Sequence, residues 1–518
     1  MKLMHRKCLA FLVAALLLLG SGISALADTP LKVFVNGEDV SARVTAAIQE
    51  GRTMVSLRAL SEILGFTVDY DAKNGTIYVT GGELDSPAGE PAVPVPATEP
   101  AAPAAELDAT AQAITAAIDA EKARLHEISK FIWDNPELGN AEFKAAELLT
   151  GELEKHGFKV TRGLKGIKPA ADLAPGENPE YLLDTAFKAV FAGKPGGPTI
   201  AVMIEYDALP MGHGCGHNTM ATSGLATAIG LSKVMADLPG TLIAIGTPNE
   251  EGAGPLGGKV WLMNAGHFDG VDVALIVHDG DRWDTGSDWL AIRSTTIKYT
   301  GVPSHAAAAP EKGVSALDAA ILFMNGLDAM REHVRQDTRM HAIITNGGAA
   351  ANIVPEKADI RIMVRALDRP YVDQLVERVS KIAEGAAMAT GAKVDYSWNS
   401  GLSAPINVPA LDDVVLEHAV LVGADPARVK PWTALASSDL GDVGFMLPTC
   451  NLWFPIAPEG SALHTNEQMA AAGTPEAADA AITAGKALAV SAYNLFTHPE
   501  KVSAIKAQFN ALKTDLMQ

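Results

Sequence analysis

The stretch PTIAVMIEYDALPMGHGCGHN, residues 198–218, decides the fold. Its first half is the kind of Val/Ile-rich run that forms a strand buried on both faces. Its second half sets His213, Cys215 and His217 on alternate positions, spaced by Gly212, Gly214 and Gly216. Two further apolar runs follow the same plan. TLIAIGTPNEEG (241–252) ends in Glu250-Glu251, and VDVALIVHDG (271–280) reaches His278. Helical stretches such as ATSGLATAIGLSKVMADL separate the runs, which predicts an α/β fold with a mostly parallel sheet. Sheets of this type bind ligands beyond the carboxyl ends of their strands. Cys215, His217, Glu250, Glu251 and His278 are therefore expected to converge.

Thiolate, imidazole and carboxylate together suit zinc or a similar first-row divalent ion. In Cys-Gly-His, both side chains point the same way from an extended backbone, and the glycines let that backbone approach an ion closely. The spacing is not that of a structural zinc finger, whose ligands come in closed sets of four. The adjacent pair Glu250-Glu251 suggests a division of labour, one carboxylate on metal and its neighbour free to accept a proton from water. The bland alternatives differ residue by residue. Cys215 and Cys450 could form one disulfide, and Cys450, within FMLPTCNLWFP, also reads as a buried core residue. His213, His267 and His341 read as structural histidines, and His126 as a surface or packing residue.

The wider chain frames this centre. With 41 Lys and Arg against 61 Asp and Glu, the formal charge is −20, which excludes a nucleic-acid partner because a phosphate backbone needs a basic surface. Residues 1–27 read as a cleaved export signal. Lys2, Arg6 and Lys7 precede an apolar run too short for a membrane span, and Ala25-Leu26-Ala27 offers the cleavage site. The protein is thus expected to be secreted, extracellular or cell-wall associated. Residues 28–82 form a small α+β module: LKVFVNG reads as a strand, TMVSLRALSEILG as a short helix, and FTVDYD with TIYVT as a hairpin around Asn74-Gly75. Residues 83–106 are a Pro/Ala-rich spacer. Catalytic segments are expected at 107–290 and 401–518, with a second unit inserted at 291–400. That insert reads β-α-β-β-α-β, a ferredoxin-like order.

Two resemblances follow from these stretches. The pattern VFVNGEDV…RTMVSLRALSEILGFTVDYDAKNGTIYVT resembles the copper amine oxidase N-terminal-like domain, which on an exported protein suggests a stalk or cell-wall association and nothing about amine oxidation. The segments NPELGNAEFKAAELL, EYDALPMGHGCGHN, GTPNEEGAGPLGGKVWL, GVPSHAAAAPEKGVSALDA, ITNGGAAANIVPEKADIRIMVRA, SSDLGDVGFMLPT and LHT resemble, in order, the M20 metallopeptidase family. Cys-Gly-His-Asn and SSDLGDV look most like its p-aminobenzoyl-glutamate hydrolase and N-acyl-amino-acid amidohydrolase branch. The loop at 164–185 is longer than that pattern expects.

The family resemblance implies two divalent ions per subunit, zinc or manganese with cobalt as a further option. Cys215, His217, Glu251, His278 and the distant His464 would hold them. It implies Glu250 as general base and Asp207 as the group orienting a ligand histidine from behind. His305 of the inserted lid would stabilise the oxyanion in a neighbouring subunit's site, making the protein a homodimer through that lid. Asn352 and Arg365 would hold the free carboxylate of a small amide substrate. The alternative for Arg365 is an ion pair with an acid such as Asp359. The implied activity is hydrolysis of N-acyl or aroyl amino acids. A carboxypeptidase or dipeptidase of the same fold, or a non-catalytic cell-envelope binding protein, are the alternatives.

Overall fold

The computed structural model describes residues 106–518 apart from 253–256 and 432–434, together with the backbone of six short strands between residues 34 and 80. The leader, the spacer up to residue 105 and most of the helix expected over TMVSLRALSEILG lie outside the described residues. The first three residues of that stretch, 53–55, are strand rather than helix, because they pair with residues 46–48. The six strands pair as β1 (Phe34–Val35) with β2 (Glu38–Asp39), β3 (Ala46–Gln49) with β4 (Arg52–Val55), and β5 (Thr67–Asp71) with β6 (Thr76–Thr80). The last pair is the hairpin expected around Asn74-Gly75, with Asp71 opposite Thr76. Residues 103–518 form a separate compact unit.

That unit opens with α1 (Ala109–Ala120) and α2 (Lys122–Asp134), then α3 (Phe143–Lys155). The apolar spacing runs on through residues 109–134, yet the segment is two helices, interrupted at Glu121 (φ −96°, ψ 5°). The main sheet contains β7 (Lys159–Ile167), β8 (Glu180–Ala192), β9 (Lys194–Ile204), β10 (Pro239–Gly246), β11 (Val273–Gly280) and β16 (Thr449–Pro455), in the order β16-β11-β9-β10-β8-β7. The four strands from β16 to β10 are parallel, and β8 and β7 add an antiparallel edge. The central strands are apolar along their buried middles, residues 200–204, 242–245 and 273–277, because helices cover the sheet. Chief among these is α4 (His217–Ser232), rich in small residues and buried along nearly its whole length. Its Ser223 and Thr227 hydroxyls donate to the Ala481 and Gly485 carbonyls at 2.8 and 3.0 Å, within the long helix Pro475–Thr497. Backbones approach closely there because little bulk separates them.

Much of the unexpected loop at 164–185 is strand. Leu164–Ile167 pair with Glu180–Leu183 and so lengthen the β7–β8 hairpin. The insert contains β12 (Ala291–Thr300), β13 (Arg339–Asn346), β14 (Lys357–Ala366) and β15 (Lys393–Asp395), ordered β13-β14-β12-β15 and all antiparallel. Two helices, Ala316–Met330 and Arg369–Thr390, cover one face over a core of its own. This is the ferredoxin-like unit the pattern predicts. Among the described residues no helix is long and apolar enough to cross a membrane.

Candidate active site

The carboxyl ends of β9, β10 and β11 meet, and each delivers donors. Past β9 come Glu205 and Asp207, and past β10 come Glu250 and Glu251. Near the end of β11 stands His278, and Cys215 and His217 lie at the turn into α4. Gly216 makes that turn with φ 65°, a left-handed conformation that costs other residues roughly 1–2 kcal/mol. It also lies against Asp279, where a Cβ would come within 2.3 Å of the carboxylate.

Three donor groups result, each with its ligand atoms within 4.8 Å of one another: Cys215-His217-His278, Cys215-Glu251-His464, and His217-Glu250-Glu251. The first two share the Cys215 sulfur, so one thiolate would serve both groups if divalent ions were bound. Among the described residues Cys215 and Cys450 are both free and buried, so no disulfide joins them.

The histidines are oriented by their far nitrogens. Nδ1 of His217 lies 3.0 Å from both the Asp207 carbonyl and its carboxylate, which leaves Nε2 with the lone pair. That Nε2 is buried and has no hydrogen-bond partner among the described residues. Nδ1 of His278 lies 2.8 Å from the Asp279 carbonyl, and its Nε2 faces the Cys215 sulfur at 3.6 Å. Nε2 of His464 is 3.0 Å from Glu251 Oε1. Asp207 also accepts the Glu251 N–H at 2.8 Å, so one carboxylate orients a histidine and a ligand loop together.

The electrostatics favour cations. Burial, then the Glu251, Asp279 and Glu250 carboxylates, push the Cys215 thiol well above its usual range. A thiolate there needs added positive charge. Burial and the Glu205 and Asp439 carboxylates push Glu250 up as well, against the pull of Lys259. Burial would raise Glu251, but His464 and His217 outweigh it and hold it down at about 2. Burial would lower His217, but Asp207 raises it. The donor set and the unpartnered Nε2 of His217 therefore fit divalent metal.

The remaining candidates lie elsewhere. His305 is exposed on the lid, with Nδ1 accepting the Ala307 and Ala308 N–H groups at 3.3 and 3.1 Å. This leaves Nε2 to carry the proton outward. Asn352 is exposed beside it, its carbonyl accepting the Ala306 N–H. Arg365 does not pair with Asp359: its Nη1 meets the Ser437 hydroxyl at 3.3 Å, and it makes no ion pair among the described residues. His213 and His267 sit on the Ile132 and Lys165 carbonyls, and His126 on Asp479.

The motifs did not single out one buried element. Lys259 is fully buried between Glu205, which it contacts, and Asp439 at 2.5 Å, and its own N–H also donates to Asp439. Glu205 Oε2 in turn lies 3.6 Å from His217 Nε2. A lysine inside the apolar run LGGKVWL was the available signal.

Residues 291–390 match the peptidase dimerisation domain, and residues 30–83 the copper amine oxidase N-terminal domain. Over 442 residues the chain is 33% identical to a Xaa-Arg dipeptidase of Mus musculus, covering 81% of this chain and 96% of that one. The chain belongs to the M20 peptidase family. It is 30% identical over 458 residues to a p-aminobenzoyl-glutamate hydrolase chain of Escherichia coli, covering 73% and 90% of the two chains. The same fold is seen in a dinuclear metal-binding M20 peptidase of Bacillus subtilis (TM-score 0.56, 21% identity, 72% and 98% coverage). It recurs in an aminobenzoyl-glutamate utilization protein of Klebsiella pneumoniae (TM-score 0.52, 22% identity, 71% and 98% coverage). As an M20 peptidase the chain is a hydrolase of amide or peptide bonds.

Proposed function

We propose that this M20 peptidase is a secreted amidohydrolase that uses two divalent ions, zinc or manganese, to release amino acids from N-acyl or aroyl amides of the p-aminobenzoyl-glutamate type. The observation that carries this reading is the pair of donor groups sharing the Cys215 sulfur. Cys215, His217 and His278 would hold one ion, and Cys215, Glu251 and His464 the other. Divalent ions bound there supply Lewis-acid polarisation and lower the pKa of water.

The chain's own groups do the rest. Glu250, whose proton affinity burial and neighbouring acids raise, takes a proton from the attacking water and gives it to the departing nitrogen. Arg365, half-buried and without an ion pair among the described residues, is suited to a substrate carboxylate. His305 offers an outward N–H to the developing oxyanion of the partner subunit's site. The dimer forms through the lid, whose edge strand β13 leaves Ile343 and Ile344 exposed.

The likeness to a Xaa-Arg dipeptidase supports dipeptide cleavage as the second reading. Rates on N-acyl amino acids, p-aminobenzoyl-glutamate and dipeptides separate the two, with Glu250→Gln as control. Loss of a positioned acid–base group costs about 10²–10⁴ in rate. If Glu250→Gln cleaves every amide as fast as the wild type, the proposed role is wrong.

A further inference from the structure

The two tandem carboxylates follow a residue that the backbone disfavours. Asn249 has φ 63°, and it is neither a glycine nor at a surface turn: it is buried. Two buried carboxylates grip the loop on either side of Glu250. Asp207 takes the Glu251 N–H, as described, and Glu142 Oε1 accepts the Asn249 N–H at 2.8 Å. The other Glu142 oxygen accepts the Thr185 hydroxyl at 2.7 Å. Glu142 is fully buried at the start of α3, in the segment NPELGNAEF, far from the loop in sequence. The Asn249 side chain fills a slot between Gly139 and Gly252, where an added Cβ would lie 2.0 and 1.5 Å from its Oδ1.

Stability does not account for a carboxylate here. Glu142 has no cationic partner among the described residues, and burial pushes it up to about 7 against its hydrogen bonds to Thr185 and Asn249. An unpaired buried acid costs folding free energy, which the hydrogen bonds it accepts from Thr185 and Asn249 offset only in part. What the acid provides is a fixed acceptor aimed at one peptide N–H, in the residue before Glu250.

We propose that Glu142 is a positioning residue for amide hydrolysis: by accepting the Asn249 N–H it holds the left-handed turn that places Glu250 and Glu251. This rests on the reading of Glu250 as the general base. The test compares Glu142→Gln, Glu142→Leu and Asn249→Ala, each measured for kcat, KM, metal content and melting temperature.

Glutamine retains an acceptor, so kcat should stay within about threefold of wild type. Leucine removes the acceptor, and alanine at 249 raises the cost of the left-handed turn while leaving Glu142 intact. Both should lower kcat about ten- to a hundredfold with KM little changed, as expected of a small misplacement of reacting groups. Glycine accepts φ 63° freely. Asn249→Gly in the Glu142→Leu background should therefore recover at least threefold, an effect a purely structural role would not produce. Wild-type kcat in folded Glu142→Leu overturns the proposal, as does equal loss in the glutamine and leucine variants. If the leucine variant does not fold, wild-type kcat in Asn249→Ala overturns it alone. An inactive wild type would instead overturn the amidohydrolase reading.

Discussion

Replacing Gly216 by alanine strikes the point where the fold makes the site. The residue lies between Cys215 and His217 with φ 65°, and its α-carbon faces Asp279. An alanine Cβ would stand 2.3 Å from both the carboxylate carbon and one oxygen. Asp279 cannot retreat, because it is fully buried and Gln468 Nε2 holds its other oxygen at 2.5 Å. The left-handed conformation costs roughly 1–2 kcal/mol for alanine. Overpacking a tight interior site costs a further 1–3 kcal/mol or so. Together, Gly216→Ala should lose about 2–5 kcal/mol, either as stability or, if the turn rearranges, as metal affinity through misdirected Cys215 and His217. Gly214→Ala is the matched control. It has no left-handed φ, and its nearest contact is the flexible end of Met211 at 3.1 Å, so it should lose no more than about 1 kcal/mol. Urea unfolding with and without added manganese or zinc, with metal content on the same samples, reads both outcomes. A Gly216→Ala protein with wild-type stability and its full metal complement would refute the reasoning.

Three further outcomes follow from the same geometry. Burial, helped by Asp413 and Asp284 and opposed by Cys450, raises the Asp412 carboxyl from 3.8 to about 7. The folded form thus binds that proton more tightly, and Asp412's contribution is present below about pH 4 and lost as pH rises to about 7, with a ceiling of about 4 kcal/mol. Asp412→Asn should remove that slope and gain on wild type between pH 5 and pH 8 by urea unfolding; an unchanged difference sinks this. Lys259→Met leaves Glu205 and Asp439 without their buried cation and should cost about 3–5 kcal/mol of unfolding free energy, whereas a loss below about 1 kcal/mol would show the cluster to be unimportant. If His305 serves the partner's site, mixing inactive His305→Ala and Glu250→Gln dimers should restore activity as subunits exchange, because a mixed dimer contains one intact site. No recovery despite exchange would place His305 in its own subunit's chemistry, and wild-type activity in His305→Ala alone would place it outside the chemistry.

Much of this was readable because parallel strands buried on both faces announce themselves as unbroken apolar runs. The residues just past such runs meet at one edge, so PTIAVMIEYDALP, TLIAIGTPNEEG and VDVALIVHDG gave both the sheet and the Cys215 cluster. The supporting charges were harder to see. Lys259 meets Asp439 across 180 residues, and Glu142 meets Asn249 across 107. No local period reports pairs of that kind. Arg365 shows the opposite difficulty, for Asp359 lies on the same face of β14 yet six residues away, about 20 Å of extended chain. Its contact, Ser437, comes from the returning catalytic segment. The break at Glu121 was also hidden, since the apolar spacing continues across it.

Counting divalent ions in active wild-type protein and in Cys215→Ala tests the central claim most directly. With one sulfur serving both donor groups, wild type should contain two ions per subunit, and removing that sulfur should deplete both along with turnover. Full activity in wild-type protein without stoichiometric divalent metal would contradict the account.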